Sequence, residues 1–486
     1  MFKKSFIYFI GQGLAAIIAI VLIPLYTKYL SPEEYGYATI IQITITYSSS
    51  LLSFGLNTGF MIRYWKTDER QKRTLFTIVL LFFFIVPVLF LIISPFYRCF
   101  SSLLGSGFNL FCFWLLGLTI FSALYFNFYL ILLRNQLKAK FFVFFSVGNA
   151  LTMALLNIYF IVQLRLGYWG FFYSMFLSYF LFAFIGTIYY RNFFVRLNLK
   201  ESKFVLFSLL KIGWPILPAQ AASGVLLSAD RYILKYLVSE SAVGIYSIGN
   251  KLGSLIRAFF VDPFFGSYIP IAYELFVKDI IQFKELQKKY LILTTLFLTS
   301  IVIVVSVPFR FLYELLINQR YWEGYSVVWI ILLGYVFITL PYIITIVQTM
   351  FEKLKYAMWT SIFVAIVNIG LNFIFISFWG YKGAAITFTL SYFLAMILTI
   401  YINQKLLYID YDWFRVFIII SVGVGVVLLE HFADFETFFG NILTRLFWAC
   451  LGLLILYGYN KKLLNPILFQ AYKKIKFSNL FFKKAK

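Results

Sequence analysis

Lys251 and Arg257 sit inside an apolar run, 243–268, that is long enough to cross a bilayer. A cation at the membrane centre costs about 2.5–3.5 kcal/mol on insertion scales, so each one calls for a reason. At about 100° per residue, Asn250, Gly253, Ser254 and Arg257 share one helix face and make a polar stripe. The local explanations are pairing of Lys251 with Asp262 or snorkelling of Arg257 toward the interface. The other explanation is an anionic ligand. Asp230 and Arg231 fall at the outer end of the preceding run, where they read as a helix cap or as a gating pair. No apolar run carries an acid at its centre. Asp262, beside Pro263, is the nearest candidate for ion coupling.

Other chemistries are poorly provided for. The single histidine, His431, removes most histidine-based catalysis, and it lies at a run end near Glu430 and Asp434. Cys99, Cys112 and Cys450 are odd in number and scattered, so they suggest neither a disulfide framework nor a metal site. No cofactor motif is found. The longest outer segment, 308–325, offers only Glu314 and Glu323 as acids, too little for a membrane polymerase or transferase. The expectation is a carrier, not an enzyme.

The elements that must position these residues follow from composition. With 62% hydrophobic and only 13% charged residues among 486, the chain lacks the polar surface of a soluble protein. Runs of about 20 apolar residues mark candidate spans. They fall at 6–27, 37–62, 74–94, 108–133, 141–162, 170–190, 204–227, 243–268, 290–307, 326–350, 357–378 and 384–402, with weaker runs at 413–430 and 438–459. The formal charge of +23 then acquires a location. With the N-terminus inside, roughly 30 of the 42 Lys and Arg residues fall in inner segments and about 8 in outer ones, which puts both termini in the cytoplasm. The basic tail 461–486 is expected to lie on the anionic inner leaflet. Nucleic acid is not an expected partner.

The chain also repeats itself. Lys28-Tyr29-Leu30-Ser31, Glu33 and Gly36 recur as Lys235-Tyr236-Leu237, Ser239, Glu240 and Gly244, at an offset of 207 to 208. Gly167-Tyr168-Trp169-Gly170 with Ser178-Tyr179-Phe180-Leu181 recurs as Gly380-Tyr381-Lys382-Gly383 with Ser391-Tyr392-Phe393-Leu394, at an offset of 213, and Asn157 falls opposite Asn372. An even number of spans per copy makes the copies parallel repeats. The expected fold is an all-α polytopic membrane protein of about 14 transmembrane helices. Two parallel six-helix lobes, 1–203 and 204–405, precede a two-helix hairpin at 406–460 and the tail.

The segment Pro24-Leu25-Tyr26-Thr27-Lys28-Tyr29-Leu30-Ser31-Pro32-Glu33-Glu34-Tyr35-Gly36 resembles the opening signature of bacterial polysaccharide repeat-unit flippases. Asp230-Arg231-Tyr232-Ile233-Leu234 through Val243-Gly244-Ile245-Tyr246 resembles their seventh-to-eighth helix motif. The resemblance covers about residues 1 to 400. It implies the multidrug/oligosaccharidyl-lipid/polysaccharide exporter fold in the bacterial inner membrane. The implied cargo is a polyprenyl-pyrophosphate-linked oligosaccharide for O-antigen, lipopolysaccharide or capsule assembly. The implied partners are membrane lipids and other polysaccharide-assembly proteins. Lysine stands at Lys28 and Lys251, where such relatives often carry arginine; charge is kept and bidentate geometry lost.

Such a cargo needs cations for the pyrophosphate, aromatic rings for the sugar and hinges for rocking lobes. Arg257, Lys251 and Asn250 are the expected phosphate-side ligands, and the resemblance implies a further arginine, Arg63, at the inner mouth. Tyr64, Trp214 and Tyr246 are candidate sugar platforms. Pro24, Pro215 and Pro218 are candidate gating breaks, because proline removes a backbone hydrogen bond within a span. A multidrug exporter or a peptidoglycan-precursor flippase of the same fold is the alternative cargo reading.

Overall fold

A computed structural model describes the backbone of residues 2–65, 67–104, 108–255, 257, 261–432 and 438–484. Side chains are described over the same residues except 2–10, 12, 16, 101–104, 199–201, 262–267, 270, 306–309, 354, 430–432, 438–439, 441–442 and 466–484. The tail from 466 onward and the side chain of Asp262 therefore lie outside the described residues.

The chain is helical from end to end, with no strand among the described residues. The first helices are α1 (Phe2–Tyr29), α2 (Pro32–Leu52), α3 (Leu56–Tyr64), α4 (Glu69–Phe82), α5 (Ile85–Ile93) and α6 (Tyr97–Leu104). Next come α7 (Leu110–Asn135), α8 (Ala139–Asn157), α9 (Tyr168–Tyr189), α10 (Leu199–Gly213), α11 (Leu217–Leu237) and α12 (Glu240–Gly253). The rest are α13 (Asp262–Lys278), α14 (Ile280–Leu316), α15 (Tyr325–Ile344), α16 (Ile346–Met350), α17 (Leu354–Leu406), α18 (Trp413–Phe432) and α19 (Phe438–Lys484). Among the described residues eight helical stretches are long and apolar enough to cross a membrane, or nine if the bent pair α2–α3 counts as one. The protein is an all-α, multi-pass membrane protein.

Local sequence sets the helix ends. Ser31 accepts from the Glu34 amide at 3.1 Å while the Glu34 carboxylate accepts from the Ser31 amide at 2.9 Å, a reciprocal cap that starts α2 with Pro32 in its first turn. In the second copy, Ser239 accepts from the Ala242 amide at 3.1 Å and starts α12. Phe54 and Gly55 have φ of 50° and 71°, and the pair α2–α3 bends there by 54°. One tight turn, Trp214–Ile216, carries Pro215 and separates α10 from α11.

The repeat is visible in the backbone as well. Gly167 precedes α9 with φ 57° and ψ −140°, and Gly380 interrupts α17 with φ 54° and ψ −132°. Both angles belong to glycine alone, and the two positions are the matched glycines of the sequence repeat. Asn157 and Asn372, also matched, are both fully buried.

Contacts divide the chain into two compact units, residues 1–273 with 314–407 and residues 274–313 with 408–486. In the first, α2 and α12 cross where Gly36 meets Glu240 and Gly244. Where α3 packs on α10, a Cβ on Gly55 would stand 2.6 Å from Cα of Gly213, and one on Gly59 would stand 2.7 Å from the Leu209 carbonyl oxygen. The spaced glycines of α3 are thus used for close packing on α10, and those of α12 for packing on residues 324–331. In the second unit, Ile292, Leu296 and Ile303 of α14 share a core with Ile419, Val426, Ala449 and Leu456. Gln287 and Asn460 are fully buried in this unit, and Arg445 nearly so.

Candidate functional site

The first cluster joins α11 to α12. Arg231 donates to Asp230 Oδ1 at 2.9 Å and to the Leu227 carbonyl at 2.6 Å. Tyr246 donates to the other Asp230 oxygen at 2.5 Å, and Asn250 donates to the Tyr246 hydroxyl at 3.4 Å. The Arg231 guanidinium also lies 5.2 Å from the centre of the Tyr246 ring. All four residues are buried. The sequence reading placed Asp230 and Arg231 at a span end as a possible cap. The helix runs on to Leu237, so the pair is instead an interior, hydrogen-bonded ion pair and caps nothing. Asp230 is thus a buried acid seven residues before the end of α11, away from the centre of its stretch. Tyr246, proposed as a sugar platform, spends its hydroxyl on Asp230.

The second cluster surrounds Lys251. Its ammonium lies 5.5 Å from the centre of the Tyr26 ring. Among the described residues no carboxylate or hydrogen-bond acceptor meets it. Tyr26 belongs to α1 and is buried; its hydroxyl accepts from Asn157 of α8 at 2.8 Å. Three helices thus converge behind one cation. Pro24, half-buried, lies two residues before Tyr26, and its carbonyl accepts from Thr27 at 3.1 Å. Lys251 lies eleven residues after the start of α12, about 16 Å along the helix.

The third cluster gathers tyrosines around Arg257. Its charge interacts with Tyr47 of α2, Tyr335 of α15 and Tyr392 of α17. Arg231 and Asp230 also lie within electrostatic range of Tyr47 and Tyr335. Thr44 and Tyr232 close one side with a hydroxyl–hydroxyl bond of 2.7 Å. The helical wheel that set Asn250 and Arg257 on one face does not apply, because regular α-helix ends at Gly253.

The inner candidates do not join these clusters. Arg63 is half-buried in the last turn of α3. Tyr64 is buried, with the Lys72 ammonium 4.9 Å from its ring centre and Lys72 tied to Glu69 at 2.8 Å. Trp214 is 62% exposed on the outside of the α10–α11 break, and Pro215 and Pro218 are exposed with it. Among the described residues no group of His, Cys, Asp or Glu could hold a metal ion.

Sequence reasoning missed Tyr26, Asn157, Tyr47, Tyr335 and Tyr392. Asn157 carried a signal, since it matches Asn372 across the repeat. The tyrosines carried none, being four among 36.

The arrangement concentrates positive charge and phenolic hydroxyls in the helical unit formed by 1–273 and 314–407. Its fold matches known transporters. The structure titled "Lipid II flippase MurJ, inward closed conformation" aligns with a TM-score of 0.72 at 15% identity, over 96% of this chain and 100% of that one. An inward-facing multidrug resistance MATE family transporter of the MOP superfamily aligns with a TM-score of 0.62 at 14% identity, over 84% of this chain and 96% of the other. At such identities the likeness is one of fold. No curated protein sequence matches the chain. A family model described as polysaccharide biosynthesis protein matches residues 1–276, more than half of the length, and the chain therefore belongs to that family.

Proposed function

We propose that this protein carries a polyprenyl-diphosphate-linked oligosaccharide from the cytoplasmic to the outer face of the membrane by alternating access, for assembly of a surface polysaccharide such as O-antigen or capsule. The observation that carries this reading is Lys251. A cation–π contact returns about 0.5–2 kcal/mol, against about 2.5–3.5 for a cation at the membrane centre. A diphosphate supplies the counter-charge that no described residue brings to it. Asp230 is already committed to Arg231 and Tyr246, which leaves it poorly placed to neutralise Lys251. Positive charge in this position also disfavours a carrier of cationic drugs. In this reading the lobes 1–203 and 204–405 rock about the cations, both termini face the cytoplasm, and 406–460 is an appended hairpin.

Deletion of the gene tests the proposal. Lipid-linked oligosaccharide is expected to build up on the cytoplasmic face, with loss of the surface polysaccharide. Normal surface polysaccharide in the deletion strain, without a second copy of the gene, contradicts it.

A further inference from the structure

We infer that the Tyr26 ring is the resting partner of Lys251 and a competitor of the cargo, so that a lipid-linked diphosphate binds by displacing the ring from the cation. This rests on the proposed cargo and adds to it what the cation must give up on loading.

The two residues come from different copies of the repeat. Gly249 and Gly253 turn one face of α12 to its own copy: a Cβ on Gly249 would stand 2.7 Å from the Gly324 carbonyl oxygen, and one on Gly253 would stand 2.7 Å from Cγ2 of Ile331. Lys251 lies two residues from each, about 200° round the helix, and so points away from that packing. Gly244, seven residues earlier, shares the face of Lys251 and meets the Pro32 carbonyl of the first copy. Lys251 continues this crossing about 10 Å farther along α12, where its ammonium reaches the Tyr26 ring of α1.

Tyr26, in contrast, is fixed. It is 1% exposed. Asn157 of α8 donates to its hydroxyl at 2.8 Å, Phe171 of α9 meets the ring edge-on at 5.5 Å between centroids, and Tyr35 of α2 lies at 6.1 Å. All three belong to the first copy. The ring is thus held from three sides, whereas Lys251 carries its charge on a flexible four-carbon stem.

The contact is of an exchangeable kind. At 5.5 Å from the ring centre the ammonium meets a quadrupole, which offers no lone pair to its three donors. A diphosphate offers full negative charge and several acceptor oxygens, hence charge-assisted hydrogen bonds. The cation moves to the cargo when one is present and returns to the ring when it leaves. Because cation and ring belong to different copies, each loading also removes a tie between them beside the tight glycine crossing.

The test measures binding of polyprenyl diphosphate to the purified full chain. Tyr26→Leu removes the competing face and should bind this probe about three- to tenfold more tightly than wild type, the size of the cation–π contact given up. Tyr26→Phe keeps the face and should stay within about twofold of wild type. In a Lys251→Met background, Tyr26→Leu should change affinity by less than about twofold, because the effect exists only while the cation does. A purely structural role for Tyr26 predicts the opposite sign, weaker binding in Tyr26→Leu whether or not the lysine is present. Unchanged or weaker binding in a folded Tyr26→Leu overturns the exchange, and so does a gain that persists without the lysine. If Tyr26→Leu does not fold, Tyr26→Met, which fills the space with a flexible side chain, is held to the same outcomes. Failure of the wild-type protein to bind the probe overturns the cargo reading itself.

Discussion

Gly36 and Gly244 face each other across the crossing of α2 and α12, so closely that a methyl group on either would overlap the other helix: one on Gly36 meets the Glu240 carbonyl, and one on Gly244 meets the Pro32 carbonyl. The two glycines are matched positions of the sequence repeat, and each meets the carbonyl four residues before the other. The local twofold relation between the repeats thus passes through this contact. Beside it, Tyr37 donates to Glu240 at 3.1 Å, with Lys235 3.8 Å from the same oxygen.

This crossing leads to the first prediction. Gly36→Ala and Gly244→Ala should each destabilise the closed contact by about 1–3 kcal/mol, the usual cost of overpacking. Thermal unfolding of the purified variants checks this. Cysteines placed on either side of the crossing should also cross-link more slowly in both variants than in the parent.

Asp230 supports a second prediction. Asp230→Asn leaves Arg231 buried without its counter-ion, and breaking a buried pair from one side costs about 3–5 kcal/mol. A lower midpoint of thermal unfolding is expected, with partial recovery in Asp230→Asn/Arg231→Gln. If the single and double variants unfold together at the parental midpoint, the ion pair contributes nothing.

Lys251 behaves oppositely. Among the described residues its ammonium meets only the Tyr26 ring, so Lys251→Met removes a charge that no described residue compensates. The variant is expected to be at least as stable as the parent, again by thermal unfolding. A clear loss of stability would mean that the lysine is structural.

Trp214 gives a contrast within the sequence-derived candidates. At 62% exposure on a helix break, its ring faces outward, where lipid or the interface receives it. Trp214→Ala should leave transport within about twofold of the parent, because scattered exposed apolar side chains seldom carry binding energy. Transport assays in reconstituted vesicles decide this.

Much of the fold was legible because its signals are local. Apolar runs marked the helices, Ser31 and Ser239 marked the starts of α2 and α12, and the glycines at 167 and 380 announced the repeat. The site was legible only where charge interrupts an apolar run, as at Lys251 and Arg257. Asp230 was misread because α11 extends ten residues past the apolar run that announced it, and helix length there is set by packing. Trp214 was picked out by aromaticity near a proline break, and the turn at Trp214–Ile216 leaves its ring exposed.

The most direct test of the account is translocation in proteoliposomes holding the full chain and lipid-linked oligosaccharide extracted from deletion cells, read by the glycan that becomes accessible to a lectin outside. The wild-type protein should move the lipid, and Lys251→Met should slow it about tenfold or more while remaining folded and inserted, as loss of a desolvated charge contact implies. Translocation by Lys251→Met at the wild-type rate would contradict the claim that this cation meets the diphosphate.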